Sequence, residues 1–226
     1  MDFFNELFSN PAITRAIPEA TLETLQMVGI SGFFTLLIGL PLGIVLQATS
    51  RGGLTPIRWL SFFLSGIVVN ITRSIPFAIL MLSLIPLSVL ITGSSLGPIS
   101  ASVPLTIGTI PFFARLVETA LRDVNTGKVD ASLVMGSTKM QVVRKVLVPE
   151  AMPGLVAALT TTLVTLVGYS AMAGLVGGDG LGRLAYNYGF QRFEFEVMIV
   201  ILVVMVVLVQ LIQIVGDLVA RRVDHR

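Results

Sequence analysis

The sequence predicts an all-α integral membrane protein with five transmembrane helices, and three observations lead to that prediction. Hydrophobic residues make up 54% of the 226-residue chain and charged residues 12%, which is about half the charged share of a soluble domain. Several uncharged stretches exceed the roughly 20 apolar residues that cross a bilayer core. The lysines and arginines between these stretches concentrate on one side, as in the loops of membrane proteins.

The uncharged stretches define the spans of a single transmembrane domain at residues 1–226. The predicted spans are about 24–50, 58–91, 99–121, 151–174 and 197–219. The second span is ambiguous, because Arg73 interrupts it and Pro76 and Pro86 are expected to kink or end a helix. Residues 59–91 therefore form either one kinked helix or a helix followed by a broken segment.

Charge placement favours counting that ambiguous region as one span. With one span there, three basic residues lie on one side of the membrane and eleven on the other, leaving Arg73 aside. Cytoplasmic loops are enriched in Lys and Arg, so the side with eleven is predicted to face inward. The amino terminus is then outward and the carboxyl terminus cytoplasmic. The outward set is Arg15, Arg183 and Arg192, and the inward set is Arg51, Arg58, Arg115, Arg122, Lys128, Lys139, Arg144, Lys145, Arg221, Arg222 and Arg226.

The polar segment at residues 123–149, between the third and fourth predicted spans, begins with a predicted amphipathic helix. Val129, Leu133 and Met140 recur at helical intervals with Gly136 on the same line. Asp130 lies near the start of this helix, where a carboxylate suits the helix dipole. The segment is expected to break at Gly136.

A second short helix is predicted after this break. Thr138 and Gln141 have the spacing of a capping box, which marks a helix start. Val142 and Leu147 contribute to an apolar side, and Pro149 is expected to force the preceding residue out of helical geometry. The predicted order is helix, glycine break, helix, proline and then a new span.

The residues of this segment resemble the EAA signature loop of bacterial ABC-importer permeases. That signature is Glu-Ala-Ala, three residues, Gly, and Ile-x-Leu-Pro beginning ten residues beyond the Gly. This chain has Asp130-Ala131-Ser132, Gly136 and Val146-Leu147-Val148-Pro149. The spacing matches throughout, while Asp replaces Glu, Ser replaces the second Ala, and Val replaces Ile and Leu.

In that family the loop is a cytoplasmic coupling helix that docks into a groove on the ATPase subunit. The resemblance therefore implies the type I ABC importer permease fold, with the coupling helix between spans 3 and 4 in loop 123–149. The residues it implies in coupling to the ATPase are Asp130, Ala131, Ser132, Met135, Gly136, Ser137 and Pro149.

A wider resemblance covers nearly the whole chain and concerns the MetI family of methionine-import permeases. The segments that carry it are Ser31-Gly32-Phe33-Phe34, Arg73-Ser74-Ile75-Pro76-Phe77, residues 142–147 and residues 166–172. The resemblance implies uptake of methionine in its L form, its D form or both. The alternative within this class is another amino acid or a small organic solute.

The resemblance also implies the partners. One set of five spans offers half a pathway, so a homodimer is expected in the bacterial inner membrane, with two copies of an ABC ATPase subunit. A substrate-binding protein or lipoprotein would deliver the solute from outside. Nothing in the sequence indicates a nucleic-acid partner.

The chain is not expected to be an enzyme. Gly127-Lys128 is followed by Val129 and lacks the earlier glycine of a Walker A motif, so ATP and Mg²⁺ are expected on the partner ATPase. The glycine-rich run at residues 177–182 lacks the spacing of a dinucleotide-binding loop and is predicted to be a flexible turn at the mouth of a pathway. With no cysteine in the chain, thiolate catalysis and disulfides are excluded. No metal-binding cluster is evident.

The fourth span offers candidates for the translocation pathway or its gate. Thr161 or Thr162, Thr165, Tyr169 and Met172 fall at helical spacing, and a polarizable Met suits a thioether ligand. Packing is the open alternative, since threonines in a span often bond their own helix backbone and Met is common filler.

Charged residues near or within the membrane supply further candidates. Arg73 is costly at membrane depth and is therefore either functional or extended to the outer interface. Glu118 and Arg122 are four residues apart and are predicted to form an ion pair at the inner end of the third span. Gly29, Gly32, Gly39 and Gly43 are expected to allow close helix contact.

A stand-alone channel or secondary transporter is the rival class. Such proteins carry intramembrane ion or proton sites, usually paired acids. The central portions of the five predicted spans contain no carboxylate, which favours a permease that takes its energy from a separate ATPase.

Overall fold

The computed structural model describes residues 12–224, and every regular element in this range is helical, which confirms the predicted all-α class. A π-helical turn at Ala12–Ala16 leads into α1, Ile17–Thr49. The other helices are α2 (Arg58–Ser74), α3 (Phe77–Ser83), α4 (Ile85–Thr92), α5 (Pro98–Arg122), α6 (Thr126–Val134), α7 (Lys139–Gly174), α8 (Leu181–Leu184, followed by a π-helical turn at Ala185–Gln191) and α9 (Phe195–Val223).

Within residues 12–224, four helices are long and apolar enough to cross a membrane, and the bent pair α2 and α3 makes a fifth span if counted as one. The ambiguous region is therefore a helix followed by a broken segment. Pro76 precedes the first residue of α3, and Pro86 is the second residue of α4. Both prolines occupy helix starts, where the missing N–H has no intrahelical partner to lose.

The described chain divides into two compact units. The first comprises residues up to Phe34 together with Ile75–Gly108 and Leu163–Ile212, and its core includes Met27, Leu105 and Leu166. The second comprises Thr35–Ser74, Thr109–Thr162 and the residues from Gln213 onward, and its core includes Phe113, Val117 and Val142. The assignment of residues 1–226 to a single transmembrane domain stays a prediction.

Small and hydroxyl side chains bring helices together inside each unit. A Cβ atom added to Gly43 would lie 2.5 Å from the Cβ of Val117, and one added to Gly39 would lie 2.8 Å from the Cδ1 of Phe113. In the same unit, the hydroxyls of Thr35 and Thr109 lie 2.8 Å apart. Such contacts drive helix association where the surroundings are as apolar as the interface.

Small and hydroxyl side chains also bring helices together in the first unit, but one of the four glycines predicted to allow close contact does not do so. A Cβ atom on Gly32 would lie 2.6 Å from the Cδ2 of Leu163, and Ser31 donates a hydrogen bond to the carbonyl of Ser102 at 3.2 Å. Gly29 has no neighbouring atom within 4 Å of a built Cβ. The prediction of close helix contact is therefore confirmed for three of the four glycines and wrong for Gly29 within this chain.

Candidate functional site

Helix α6 is fixed at its start and along one side. Asn125 caps the helix, and its side-chain oxygen accepts a hydrogen bond from the N–H of Gly127 at 2.8 Å. Ser132 is buried, and Val129 packs against the core of the second unit. These contacts hold one side of α6 and leave the other side to solvent.

The opposite side of α6 presents apolar side chains to solvent, although the sequence around them is polar. Val134 is 88% exposed and Met135 is 79% exposed, and Asp130 and Ala131 are exposed beside them. We call Asp130, Ala131, Leu133, Val134 and Met135 the α6 surface. The predicted line of Val129, Leu133 and Met140 is only partly internal, since Met140 is 64% exposed.

Gly136 ends α6 through its backbone conformation. Its φ is +85°, a left-handed value that favours glycine. The N–H of Ser137 bonds to the carbonyl of Ser132 at 3.1 Å and the N–H of Gly136 to that of Leu133 at 3.0 Å, which together form a Schellman motif. A Cβ atom here would meet nothing within 4 Å, so the requirement for glycine is conformational.

The predicted capping box at Thr138 is confirmed. The hydroxyl of Thr138 accepts a hydrogen bond from the N–H of Gln141 at 3.4 Å, and the side-chain oxygen of Gln141 accepts one from the N–H of Thr138 at 2.8 Å. Val142 and Leu147 are buried, while Arg144 and Lys145 are exposed. One residue, Ser137, thus separates the glycine that ends α6 from the cap that begins α7.

The prediction that Pro149 ends this second helix is wrong. Val148 has φ −66° and ψ −47°, which are helical values, and α7 continues to Gly174. A π-helical turn at Val143–Leu147 lies immediately before the proline, and the N–H of Val148 bonds to the carbonyl of Val143. This wide turn absorbs the disturbance that the proline ring causes in a regular α-helix.

Glu118, at the inner end of α5 in the predicted topology, is a buried carboxylate held by two arginines. It is 3% exposed and contacts Arg115 Nη1 at 2.5 Å and also Arg122 Nη2. Arg115 donates a further bond to the hydroxyl of Ser65 at 3.1 Å. The predicted pair of Glu118 and Arg122 is confirmed. The contact of Glu118 with Arg115 was not predicted, although the three-residue spacing between them is a usable signal.

A second ion pair links α6 to α7. Lys128 Nζ lies 2.6 Å from Glu150 Oε2, and both side chains are partly exposed. The partners are 22 residues apart, and no local periodicity connects them. The sequence therefore carried no signal for this contact.

In the first unit, Tyr169 is half-buried and packs against the core. Its ring stacks on Phe77 with centroids 4.0 Å apart and planes 5° apart, and both rings lie against the core that contains Leu166 and Val167. Two of the segments that carry the MetI resemblance thus meet at this stack. The geometry favours the packing alternative for Tyr169.

Met172, three residues further along α7, has a different environment. It is 42% exposed and lines an apolar groove of about 440 Å³. Other residues of the groove are Met198, Met205, Tyr186 and Phe190. The predicted strip of side chains is therefore divided, with Tyr169 packed against the core and Met172 on an open, polarizable surface.

The threonines and Arg73 complete the predicted set. Thr161 and Thr162 donate hydrogen bonds to the carbonyls of residues 157 and 158 in their own helix, and Thr165 is half-buried. Arg73 is exposed in the last turn of α2, just before the break at Pro76. A cation at that position is favourable with the helix dipole.

The turn predicted within residues 177–182 is present, but contacts with other parts of the first unit hold its backbone. The N–H of Gly180 donates to the carboxylate of Glu23 at 2.8 Å, and the N–H of Leu181 donates to the hydroxyl of Thr24 at 3.0 Å. Leu181 is fully buried, and a Cβ atom on Gly182 would lie 2.2 Å from the carbonyl of Ala171. The glycines serve close packing against α1 and α7 within the first unit.

These helices and the Gly136-terminated loop define a class of protein. The family described as "Binding-protein-dependent transport system inner membrane component" matches residues 39–226, and the chain belongs to this family. It is a permease subunit of an ABC importer and an inner-membrane component, as the sequence predicted.

Within this family, the chain is similar to permeases named for methionine transport. The chain is 53% identical to a Vibrio cholerae protein named "Probable D-methionine transport system permease protein MetI" over 92% of each chain. It is 55% identical to the "D-methionine transport system permease protein MetI" of Escherichia coli (strain K12), over 67% of this chain and 70% of that protein. The recognition of a MetI-type permease is thereby confirmed.

Solved structures agree with this recognition. A structure titled "Inward facing conformations of the MetNI methionine ABC transporter" superimposes with a TM-score of 0.90 at 50% identity, covering 92% of this chain and 96% of that one. An amino acid ABC transporter with histidines matches at TM-score 0.76 over 98% of this chain and 99% of that chain. Its 20% identity supports the fold alone. The predicted type I ABC importer permease fold is confirmed.

Proposed function

We propose that this chain forms the translocation pathway of an ATP-driven methionine importer and couples to a separate ATPase through residues 130–149. The names of relatives at 53% and 55% identity support methionine as the substrate, in the D form, the L form or both. The exposed Met172 beside Met198 and Met205 supports a soft, polarizable surface for a thioether.

The α6 surface is the observation that carries the coupling proposal. Exposed apolar side chains on a short, capped helix favour docking against a partner, because burying them there removes apolar area from water. Gly136 and the capping box fix where α6 stops and α7 starts, and Ser132 anchors α6 from inside. Pro149 lies just beyond the wide turn of α7, where it stiffens the connection to the fourth span.

The working unit in this proposal is a homodimer with two ATPase copies and a substrate-binding protein or lipoprotein. Gly168 and Met172 are exposed along one face of α7 at helical spacing, and Leu175, the residue after the helix, is also exposed. Gly168 has no neighbour within 4 Å of a built Cβ, so a second copy can approach closely there. ATP and Mg²⁺ belong to the ATPase, and this chain performs no catalysis.

The proposed orientation places α6 in the cytoplasm. The amino terminus is outward and the carboxyl terminus is cytoplasmic, on the strength of the eleven basic residues in the inward segments. Within the membrane, Thr165 and Met172 line the pathway, and Tyr169 packs between them and Phe77 at the edge of the core. Arg73, exposed before the break at Pro76, faces water at the outer end of the pathway.

The decisive experiment is ATP-driven uptake of labelled L- and D-methionine into proteoliposomes that contain the permease, its ATPase and its binding protein. Met135→Asp introduces a charge into the α6 surface and is expected to lower uptake and copurification of the ATPase at least tenfold. Leu96→Asp is the matched control, because Leu96 is 64% exposed in the loop before α5 and is predicted to face outward. It is expected to retain ATPase binding.

Several outcomes would contradict the proposal. Uptake without the ATPase would support the stand-alone channel or secondary transporter. ATP-driven uptake of another amino acid or organic solute, with no uptake of labelled methionine, would preserve the coupling and overturn the substrate. Normal ATPase binding by Met135→Asp would remove α6 from the interface.

The orientation has its own test, made simple by the absence of native cysteine. Ser137→Cys is expected to react with a membrane-impermeant maleimide only from the cytoplasmic side. Gln191→Cys, in the exposed segment before α9, is the opposite control and is expected to react from outside. Labelling of Ser137→Cys from outside would reverse the topology.

A further inference from the structure

The connection between α1 and α2 and the first turns of α2 line an open cavity that the transport proposal does not use. Its volume is about 760 Å³, and its polar lining includes Arg51, Arg58, Ser61 and Ser65. Arg115 reaches its edge, since Arg115 Nη1 donates to the lining hydroxyl of Ser65. Among the described residues that line the cavity, none carries a carboxylate. The cavity therefore carries the positive charge of Arg51 and Arg58, since Arg115 is paired with Glu118.

The two lining arginines are not neutralised by the protein. Within residues 12–224, neither Arg51 nor Arg58 forms an ion pair with a carboxylate, whereas Arg115, Arg122, Lys128 and Arg183 all do. Guanidinium groups present planar forks of donors that match phosphate oxygens. Arg51 and Arg58 are both exposed, so an anion from outside the protein can reach their guanidinium groups, and a phosphate group has suitable chemistry.

The turn that carries Arg51 is firmly built. The N–H of Thr55 bonds to the carbonyl of Ala48 at 2.8 Å, and the N–H of Gly53 bonds to that of Ser50 at 3.0 Å. A Cβ atom on Gly53 would lie 2.3 Å from the carbonyl of Gln47, so the turn folds tightly onto the end of α1. The backbone next to Arg51 is therefore held in place before any ligand arrives.

Aromatic side chains lie beside the charged lining. Trp59 is 72% exposed and Phe62 is 70% exposed, and Phe62 also lines the cavity. Trp and other aromatic side chains concentrate at the level of lipid headgroups. Basic residues next to an apolar aromatic surface match a molecule with a phosphate head and hydrocarbon tails better than they match a free anion.

We propose that this cavity binds the headgroup of an anionic phospholipid. Arg51 and Arg58 bind the phosphate, the hydroxyls of Ser61 and Ser65 lie within the headgroup site, and the acyl chains pass over Trp59 and Phe62. Basic pockets of this kind at one surface of a membrane protein select anionic over zwitterionic lipids. The lipid would hold the α1–α2 turn at the bilayer surface, independently of which solute is transported.

Trp59 allows a direct test, because it is the only tryptophan in the chain. The complete transporter is reconstituted in phosphatidylcholine with a small, equal fraction of brominated phosphatidylglycerol or brominated phosphatidylcholine, whose bromines quench nearby tryptophan. The signal of Trp59 is the difference between this transporter and one with Trp59→Phe. Stronger quenching by brominated phosphatidylglycerol is expected.

Variants assign that preference to the cavity. The double variant Arg51→Gln, Arg58→Gln is expected to lower the relative affinity for phosphatidylglycerol about fivefold for each arginine replaced. Arg51→Lys with Arg58→Lys keeps the charge and is expected to retain most of the preference. Arg221→Gln with Arg222→Gln removes the same charge from the end of α9 and is expected to leave the preference unchanged.

Three results would overturn the inference. The first is equal quenching of Trp59 by the two brominated lipids, which needs no arginine variant and so does not depend on how the altered cavity folds. The second is a preference that the Arg221 and Arg222 control loses as fully as the Arg51 and Arg58 variant. The third is displacement of the brominated lipid by inorganic phosphate at a few millimolar, which would make the site one for a free anion.

Discussion

The loop around α6 and the stack around Tyr169 serve two parts of the proposed transport function, namely coupling to the ATPase and passage of the substrate. In the two regions, the sequence and the exposure of side chains are related in opposite ways. Around α6 the sequence is polar, yet the structure exposes Val134 and Met135 to solvent. Around Tyr169 the sequence is apolar throughout, and the structure separates a core ring from the exposed Met172. In both regions the exposed apolar side chain is the informative one.

The difference lies in what fixes each region. The α6 loop is fixed by backbone demands, namely a left-handed glycine and a capping box, which permit few residue types. The Tyr169 region is fixed by side-chain packing, where many apolar residues of similar volume are accepted. We expect substitutions in the first region to act on coupling, and those in the second to act on stability or substrate handling.

The largest expected effect concerns the stack. Tyr169→Ala removes the ring from Phe77 and leaves a cavity, which costs about 3 kcal/mol of folding stability. The purified transporter is expected to show a lower Tm and a lower yield. Tyr169→Phe keeps the ring and is the control. If Tyr169→Ala is as stable as the parent but transports poorly, Tyr169 belongs to the pathway and its region is not fixed by packing alone.

A smaller effect is expected at Gly136, where the substitution acts on the loop geometry. Gly136→Leu places a branched residue at φ +85°, at a cost of about 1–2 kcal/mol, which is a factor of about 5 to 30 in a two-state population. Transport per ATP hydrolysed is expected to fall while membrane insertion is unchanged. Asn tolerates left-handed geometry, so Gly136→Asn is expected to retain most coupling. Equal loss in both variants would point to a contact with the partner.

Met172 is expected to show a kinetic change of a few-fold. Met172→Ala removes the thioether from the open groove and is expected to raise the KM for methionine without lowering the amount of transporter, because the side chain is 42% exposed. Met172→Leu preserves volume and separates polarizability from size. Unchanged uptake kinetics in Met172→Ala would assign the residue to packing.

The smallest effect is expected for the ion pair between α6 and α7. Lys128→Met breaks the contact with Glu150, but both side chains are partly exposed, so the expected loss is about 0.5 kcal/mol or less. Thermal unfolding at low and high salt measures it. The charge exchange Lys128→Glu with Glu150→Lys should recover the parent Tm. A loss of several degrees would mean that this pair helps to hold α6.

Sequence reasoning succeeded where local geometry restricts residue type. The Thr138 and Gln141 box and the pair of Glu118 and Arg122 follow from fixed helical spacing, and the structure contains both. Gly136 has the left-handed backbone conformation that ends α6, at the break that the sequence predicts. Helices long enough to cross a bilayer can also be predicted from the sequence, because the membrane thickness sets their length.

The failures have a common physical origin in tertiary contacts. Pro149 was expected to end a helix, but the neighbouring π-helical turn accommodates it. The glycines after α7 were expected to form a flexible turn, but Glu23 and Thr24 hold their backbone from another part of the chain. Gly29 and Gly32 are indistinguishable in sequence, and only Gly32 meets a neighbouring helix. In an apolar chain, the same residue types occur at lipid-facing and protein-facing positions, so the sequence does not distinguish the two.

The π-helical turn at Val143–Leu147 also acts as an angular spacer. Each residue of an α-helix advances the side chains by about 100° around the axis. Removing one residue from this turn would convert it to a regular α-helical turn and rotate everything after it by that amount. Leu155 and Ala158, which now point into the core of the second unit, would swing toward its surface. The extra residue of the π-helical turn thus keeps the core-facing side of the fourth span aligned with Val142.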